Sequence, residues 1–386
     1  MKYLLLIYIF FCTTLVSAQT SVQEILSMVE QNNKTLKAAS DKTETEKQTL
    51  MVGTSLDNPE FGFDYLWGKP GMIGKRKDVN VNQTFDLATV FGYRKRLAKS
   101  QKELLELELQ QRQLETRIET LDLLAQITFY NKAIKIYDER LEQERQLTKA
   151  YEKRLEIGDA NKLDVNRVRL SLTEIETEYA KVVTERDLLL LNLKTLCGGV
   201  EIAYLDTEYD SLINLILDYH NSLSSLQKAQ NEQIQIIAEK DLELTKSEYI
   251  PSIRAGYMAE LAEDEKWNGV TIGISIPLWN NRHNLKRAKL QVQSAKSEAE
   301  DAAYKLEQAI ASQKLITVRY KEIAQNMQQK LLNASSTTLL RKALSEGQIS
   351  LIEYCLENSE IFTMRIKSLE AERDYQQAHL YLSAMF

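Results

Sequence analysis

Helix breakers are scarce in this 386-residue chain and unevenly placed. It has four prolines, Pro59, Pro70, Pro251 and Pro277, and each lies in or beside a segment that reads as a strand. Glycine and proline are both missing from 93–157, 159–197, 278–346 and 348–386. Windows of that length, rich in Leu, Glu, Lys, Gln and Ala, exclude a small domain of short elements and predict long helices. Histidine is limited to His220, His283 and His379, and cysteine to Cys12, Cys197 and Cys355. None of these forms a cluster with metal-ligand spacing. There is no glycine-rich phosphate loop and no nucleophile–base pattern. We therefore assign no catalytic, cofactor-binding or metal residues and expect a protein that is not an enzyme. The net charge of −6 argues against nucleic acid as a partner.

Long apolar runs are also missing. The longest lies at the start, where Lys2, the apolar stretch Tyr3 to Phe11 and the small residues Val16-Ser17-Ala18 read as a signal peptide over 1–18. It falls short of the roughly 20 residues that span a bilayer as a helix, and no later run reaches that length. The expectation is an exported chain without a membrane helix. Cys197 and Cys355 fall near the far end of one predicted helix and near the start of another. We expect them to stay unpaired, as small packing residues.

The strand signal is short and strong. Val270, Ile272, Ile274 and Ile276 alternate with Thr271, Gly273 and Ser275, and Phe61, Phe63, Tyr65 and Trp67 alternate with Gly62 and Asp64. Strands are expected at about 58–68, 78–87, 252–260 and 269–278. From Arg282 the period changes. Leu285, Ala288, Val292, Ala295, Ala299, Ala302, Leu306 and Ala309 follow the three-four spacing of a coiled-coil seam. An unbroken helix from there to Gly347 would be about 100 Å long. Ser21-Val22-Gln23-Glu24 reads as a capping box opening a helix to about Gly53. Further helices are expected over about 88–157, from the turn at Gly158 to Cys197, over 208–249, and from Gly347 to about Ala384.

The order repeats. With an offset of about 190 residues Val79 falls on Val270, Phe85 on Ile276, Gly158 on Gly347 and Leu163 on Ile352. The expected fold class is mainly α with a small β part: a helix–strand–strand–helix–helix unit present twice, over 19–199 and 200–386. It is one duplicated supersecondary unit rather than two independent domains. Four strands with alternating faces leave open edges and cannot close a barrel that holds anything. Three copies would close twelve strands, an even number seen in outer-membrane barrels. Basic clusters follow each strand pair. Tyr93, Arg94, Lys95 and Arg96 follow the first, and Trp279, Arg282, Lys286 and Arg287 the second. Aromatic and cationic side chains there suit a membrane rim.

The duplicated order, with the paired motifs Gly158 to Val165 and Gly347 to Tyr354, resembles the TolC family of outer-membrane efflux proteins over essentially the whole mature chain. Ile276-Pro277-Leu278-Trp279-Asn280-Asn281-Arg282 resembles the corresponding segment of its heavy-metal (cobalt-zinc-cadmium, copper-silver) branch. The resemblance implies a homotrimer. Its twelve-stranded transmembrane β-barrel would continue into a long α-helical coiled-coil tunnel across the periplasm of a Gram-negative bacterium. It implies a passive exit duct in the cell outer membrane for small molecules or metal ions. Its partners would be a periplasmic adaptor (membrane fusion protein), an inner-membrane pump of RND or ABC type, and outer-membrane lipid. It implies adaptor docking at the turns Gly158-Asp159-Ala160 and Gly347-Gln348-Ile349. It places Glu353, and less directly Asp164, at the periplasmic gate. Carboxylates repeated around a pore would favour cations and raise one another's pKa. Two alternatives stay open: the outer-membrane component of a type I protein secretion system, and a non-channel coiled-coil structural protein of the envelope.

Overall fold

The computed structural model describes residues 21–68, 74–85, 88–217, 219, 221–262, 265–277, 281–332 and 337–386. The expected signal peptide over 1–18, His220 and Trp279 lie outside the described residues. In chain order the elements are α1 (Val22–Asn32), α2 (Lys34–Thr49), β1 (Glu60–Leu66), β2 (Arg76–Phe85), α3 (Ala88–Glu156), α4 (Lys162–Leu196) and α5 (Asp210–Leu217). They continue with α6 (Leu223–Ser247), β3 (Ser252–Leu261), β4 (Lys266–Ser275), α7 (Asn281–Leu332), α8 (Thr337–Ser345) and α9 (Leu351–Met385). Two compact units result. One comprises Met1–Lys34, Thr116–Tyr219 and Gln313–Ala384; the other comprises Thr35–Glu115, His220–Ser312 and Met385–Phe386. Each unit draws segments from both halves of the chain.

Two expected helices are each divided in two. The helix expected from Ser21 to Gly53 is two, α1 and α2. Asn33 leaves helical backbone at ψ 115° and donates its side-chain amide to the Leu196 carbonyl at 3.0 Å. That bond satisfies an orphan carbonyl at the end of α4. The expected helix over 208–249 is α5 and α6, because Ser222 and Ser225 form a reciprocal cap that restarts the helix. The helix expected up to Gly347 is described as α7 and α8, with 333–336 outside the described residues.

In the first unit, α1 starts with its capping box in place. The Ser21 amide donates to Glu24 Oε2 at 2.9 Å, and the Glu24 amide donates to Ser21 Oγ at 3.3 Å. Its buried stripe is Val22, Ile25, Leu26 and Val29, at helical spacing, and α1 lies against α5. Burying each of these side chains contributes about 1.5–3 kcal/mol. The loop after α4 is strapped to α3. Thr128 and Tyr204 hydroxyls share a hydrogen bond of 3.1 Å, and Asn131 donates to the carbonyls of Tyr204 and Asp206. Cys197 and Cys355 are both buried and free, as expected.

The second unit holds the sheet, in the order β1-β2-β3-β4 and antiparallel throughout. α6 is tied to α3 there by Gln233, which donates to the Ser100 carbonyl at 2.8 Å, and by Gln230, which donates to the Leu107 carbonyl at 3.2 Å. The seam of α7 is buried at Ala288 and Ala295 and half-buried at Leu285, Val292, Ala299, Ala302 and Leu306. Ala309 is exposed instead. The seam steps by four there, to Ile310.

Candidate functional site

The strand register divides the sheet into two unlike faces. One row across all four strands is Phe61–Val81–Tyr257–Val270. The next rows are Gln83–Ala255–Ile272 and Phe85–Ile253–Ile274. Val270 is 82% exposed, Ile272 77% and Phe61 71%. A contiguous apolar face left uncovered by its own chain marks a lipid or protein contact. Among the described residues β1 pairs only with β2, and β4 only with β3, so both outer edges present backbone groups without a strand partner there. All ten residues of β4 are exposed.

The other face is polar. Asn82 donates its side-chain amide to Asn80 Oδ1 at 3.1 Å, and Thr271 donates its hydroxyl to Asn82 Oδ1 at 3.4 Å. These amides lie over glycines of the neighbouring strands. A Cβ at Gly62 would stand 2.6 Å from Asn80 Oδ1, and one at Gly256 would stand 2.7 Å from the Val81 carbonyl and collide with Asn82. Toward the β1–β2 connection the register sets Asp64 opposite Asp78 and Asp78 opposite Glu260, with Trp267 closing the row. Like charges placed opposite each other destabilise a sheet. Arg76 offsets two of them, reaching Asp78 at 2.7 Å and Glu260 at 2.9 Å. This carboxylate row was not visible from the sequence, because only strand pairing brings residues 64, 78 and 260 together.

The basic clusters sit where the long helices leave the sheet. Phe85 pairs with Ile253 and Ile253 with Ile274, so β2 and β4 end at the same edge and α3 and α7 start there. The Arg96 guanidinium lies 4.3 Å from the Tyr93 ring centroid, and that of Arg94 lies 5.8 Å from Phe91. Lys95, Arg96, Arg282, Lys286 and Arg287 are exposed.

In the first unit the two predicted turns share one geometry. Gly158 has φ +78° and Gly347 φ +71°, the left-handed region that glycine enters at least cost. The amides of Gly158 and Asp159 donate to the carbonyls of Leu155 and Arg154, and those of Gly347 and Gln348 to Leu344 and Ala343. Both are Schellman caps. The next helix of each hairpin opens with a reciprocal cap. The Asp164 amide donates to Asn161 Oδ1 at 2.8 Å, and the Asn161 amide to Asp164 Oδ2 at 3.4 Å. The Glu353 amide donates to Ser350 Oγ at 3.2 Å, and the Ser350 amide to Glu353 Oε2 at 2.8 Å. The Ser350 backbone amide and then its hydroxyl hold the Glu353 carboxyl below its ordinary pKa. The two hairpins share one buried cluster of Tyr151, Val165, Val168, Leu351, Tyr354 and Cys355, with Ala160 and Ile349 half-buried against it. Asp159 is exposed and bound to Arg154 at 2.8 Å, and Gln348 donates to Glu346 at 3.0 Å. Leu163 stays 79% exposed beside the turn.

A polar pair behind this cluster was missed. Arg140 and Glu144 meet at 2.6 Å with side chains 4% and 1% exposed. Nε and Nη1 of Arg140 and Oε2 of Glu144 have no partner among the described residues. The guanidinium lies 6.0 Å from the Phe362 ring centroid. Burial raises the Glu144 pKa, opposed by Arg140 and by Ser171. The signal was present in the sequence. Tyr137, Leu141, Glu144, Thr148 and Tyr151 follow a four-three spacing that puts Glu144 on the seam.

No family model matches the chain, and no curated protein does. Solved structures do. CusC aligns at 17% identity with a TM-score of 0.78, covering 95% of this chain and 92% of that one. The CmeC outer membrane channel of Campylobacter jejuni aligns at 14% identity and TM-score 0.73, covering 94% and 86%. The MtrE outer membrane channel of Neisseria gonorrhoeae, in its open state, aligns at 14% and 0.74, covering 94% and 88%. The chain has the fold of these channels over nearly its whole length: mostly helical with a small antiparallel sheet.

Proposed function

We propose that the protein is the outer-membrane exit duct of a tripartite efflux system, carrying small molecules or metal ions passively to the exterior. The observation that carries this reading is the four-stranded sheet, with one apolar and one polar face and both edges open among the described residues. Among the described residues nothing covers that apolar face, and in water it would be a liability. In a bilayer it is the lipid-facing wall. No open edge can persist in lipid, so three copies join edge to edge into twelve strands, with the Asn80, Asn82 and Thr271 side turned to the lumen. The long helices continue this barrel as a periplasmic tunnel. The repeats 19–199 and 200–386 each supply one strand pair and one hairpin, after removal of the signal peptide over 1–18.

The hairpin turns Gly158-Asp159-Ala160 and Gly347-Gln348-Ile349 are the docking sites for the periplasmic adaptor, which links the duct to an RND or ABC pump of the inner membrane. Exposed Leu163 and Ile352 beside the turns favour an apolar contact there. Glu353 and Asp164, near the same tip, are the gate carboxylates. Tyr93, Arg94, Lys95, Arg96, Trp279, Arg282, Lys286 and Arg287 anchor the membrane rim.

The test is single-channel conductance of the purified protein in planar bilayers, with its mass measured in detergent. A trimer that conducts supports the duct. A protein that stays soluble without detergent and forms no channel overturns it.

A further inference from the structure

We propose that the opening turns of α3 and α7 form a cationic collar that binds the phosphates of anionic phospholipids, in the leaflet from which the helices leave the sheet. This rests on the duct reading and adds the chemistry of the lipid that the duct selects. The chain as a whole is acidic, yet residues 88–102 hold five Lys/Arg and no Asp/Glu, and residues 281–297 also hold five and none. The first turns of both helices lack an acid. In α7 Arg282 stands in the first turn, where the helix dipole favours negative charge, while the cations of α3 begin at Arg94, past its first turn. Like charges one turn apart, Lys95 with Lys99 and Arg282 with Lys286, destabilise a helix, so both clusters favour an anionic partner.

For six of these ten cations the described residues do not supply that partner. Among the described residues no carboxylate comes within 4.0 Å of Lys95, Arg96, Arg282, Lys286, Arg287 or Lys289. This includes those of α6, which ends at the same sheet edge. All six side chains are exposed. Strand register puts both helix starts at one edge of the sheet, so the collar is continuous with the apolar rows Phe85–Ile253–Ile274 and Gln83–Ala255–Ile272. If those rows face acyl chains, the next layer outward is the phosphates. Arg96, braced over Tyr93 at 4.3 Å and donating Nε to the Gly92 carbonyl at 3.3 Å, holds its charge at the surface. Near an anionic membrane each such side chain strengthens binding about fivefold.

The experiment uses native mass spectrometry of the detergent-solubilised full chain with phosphatidylglycerol or phosphatidylethanolamine added. Conductance in bilayers of each lipid is recorded alongside. The variant neutralises Lys95, Arg96, Lys286 and Arg287 to glutamine. A control neutralises Lys42, Lys181, Lys305 and Lys342, and a third variant carries R96K and R287K. The expected result is at least a tenfold preference for phosphatidylglycerol in the wild type, the control and the Arg→Lys variant. The preference falls to within twofold in the collar variant, with trimer mass and ion selectivity unchanged. A collar variant that keeps the preference overturns the proposal. So does one that shifts the reversal potential, because the charges would then face the conduit. A wild type that forms no trimer and no channel overturns the duct reading and the collar with it.

Discussion

Asp164 and Glu353 hold equivalent places in the two hairpins, each closing a reciprocal cap with the residue three positions before it. Asp164 pairs in this way with Asn161, and Glu353 with Ser350. Each carboxylate has a local structural task, satisfying a backbone amide at the start of a helix, whatever else it does at the tip.

Charge and cap are separable at Glu353. Glutamine at that position keeps the capping geometry and removes the charge, whereas alanine removes both. If the carboxylate gates the pore, Glu353→Gln raises conductance as much as Glu353→Ala. If the cap alone matters, only Glu353→Ala changes the channel, and hydrogen exchange at 348–356 speeds up in that variant and not in Glu353→Gln.

The same bonds give a pH dependence. The folded pKa of Glu353 is lowered, so its contribution is present above the unfolded value near 4.5 and is lost as pH falls through the folded value. Amide exchange at Ser350 and Glu353 is expected to rise on acidification below about pH 4.5. Ser350→Ala moves that transition up toward the unfolded value. A transition that stays in place would show that the serine hydroxyl adds nothing to the hold of the backbone amide.

Three glycines differ in what alanine would cost. Gly158 and Gly347 have positive φ and open space around the missing side chain. Gly158→Ala or Gly347→Ala is expected to destabilise the first unit by about 1–2 kcal/mol from backbone strain alone. Gly198, at φ +72°, would also drive a Cβ into the Asn32 carbonyl, so Gly198→Ala costs more than either. Denaturant unfolding of the three variants gives the order.

Removing half of the Arg140–Glu144 pair strands a buried charge. Glu144→Leu is expected to destabilise the first unit by about 3–5 kcal/mol. The double variant Arg140→Met with Glu144→Leu recovers most of that loss, because an apolar pair of similar volume needs no partners for Nε, Nη1 and Oε2. A double variant no more stable than Glu144→Leu would show that other groups satisfy the pair.

Adjacent residues of β4 lie on opposite faces. Ile272→Lys places a charge in the apolar row and is expected to cost about 2–4 kcal/mol at the bilayer midplane, lowering trimer yield in the outer membrane. Thr271→Lys, on the polar face, leaves yield intact and changes conductance. Equal yields for the two would place both outside the membrane.

What the sequence determined by itself was everything encoded within a few residues. The spacing of proline and glycine marked the strands and turns. The period-two run from Val270 to Ile276 marked a strand with one apolar face. Ser21 with Glu24 marked a helix start, and Gly158 and Gly347 marked two turns of one design. Tertiary structure decided what depends on distant partners. Asn33 ends α1 because it reaches Leu196, 163 positions away. Asp64, Asp78 and Glu260 form one row only because the strands pair in that register. Glu144 stood on a seam in plain view, but a charged residue in a helix reads as solvated until the packed helices leave it 1% exposed. Caps, turns and periods come from backbone geometry that repeats within one or two helical turns. Register and burial come from contacts between segments the chain must first bring together.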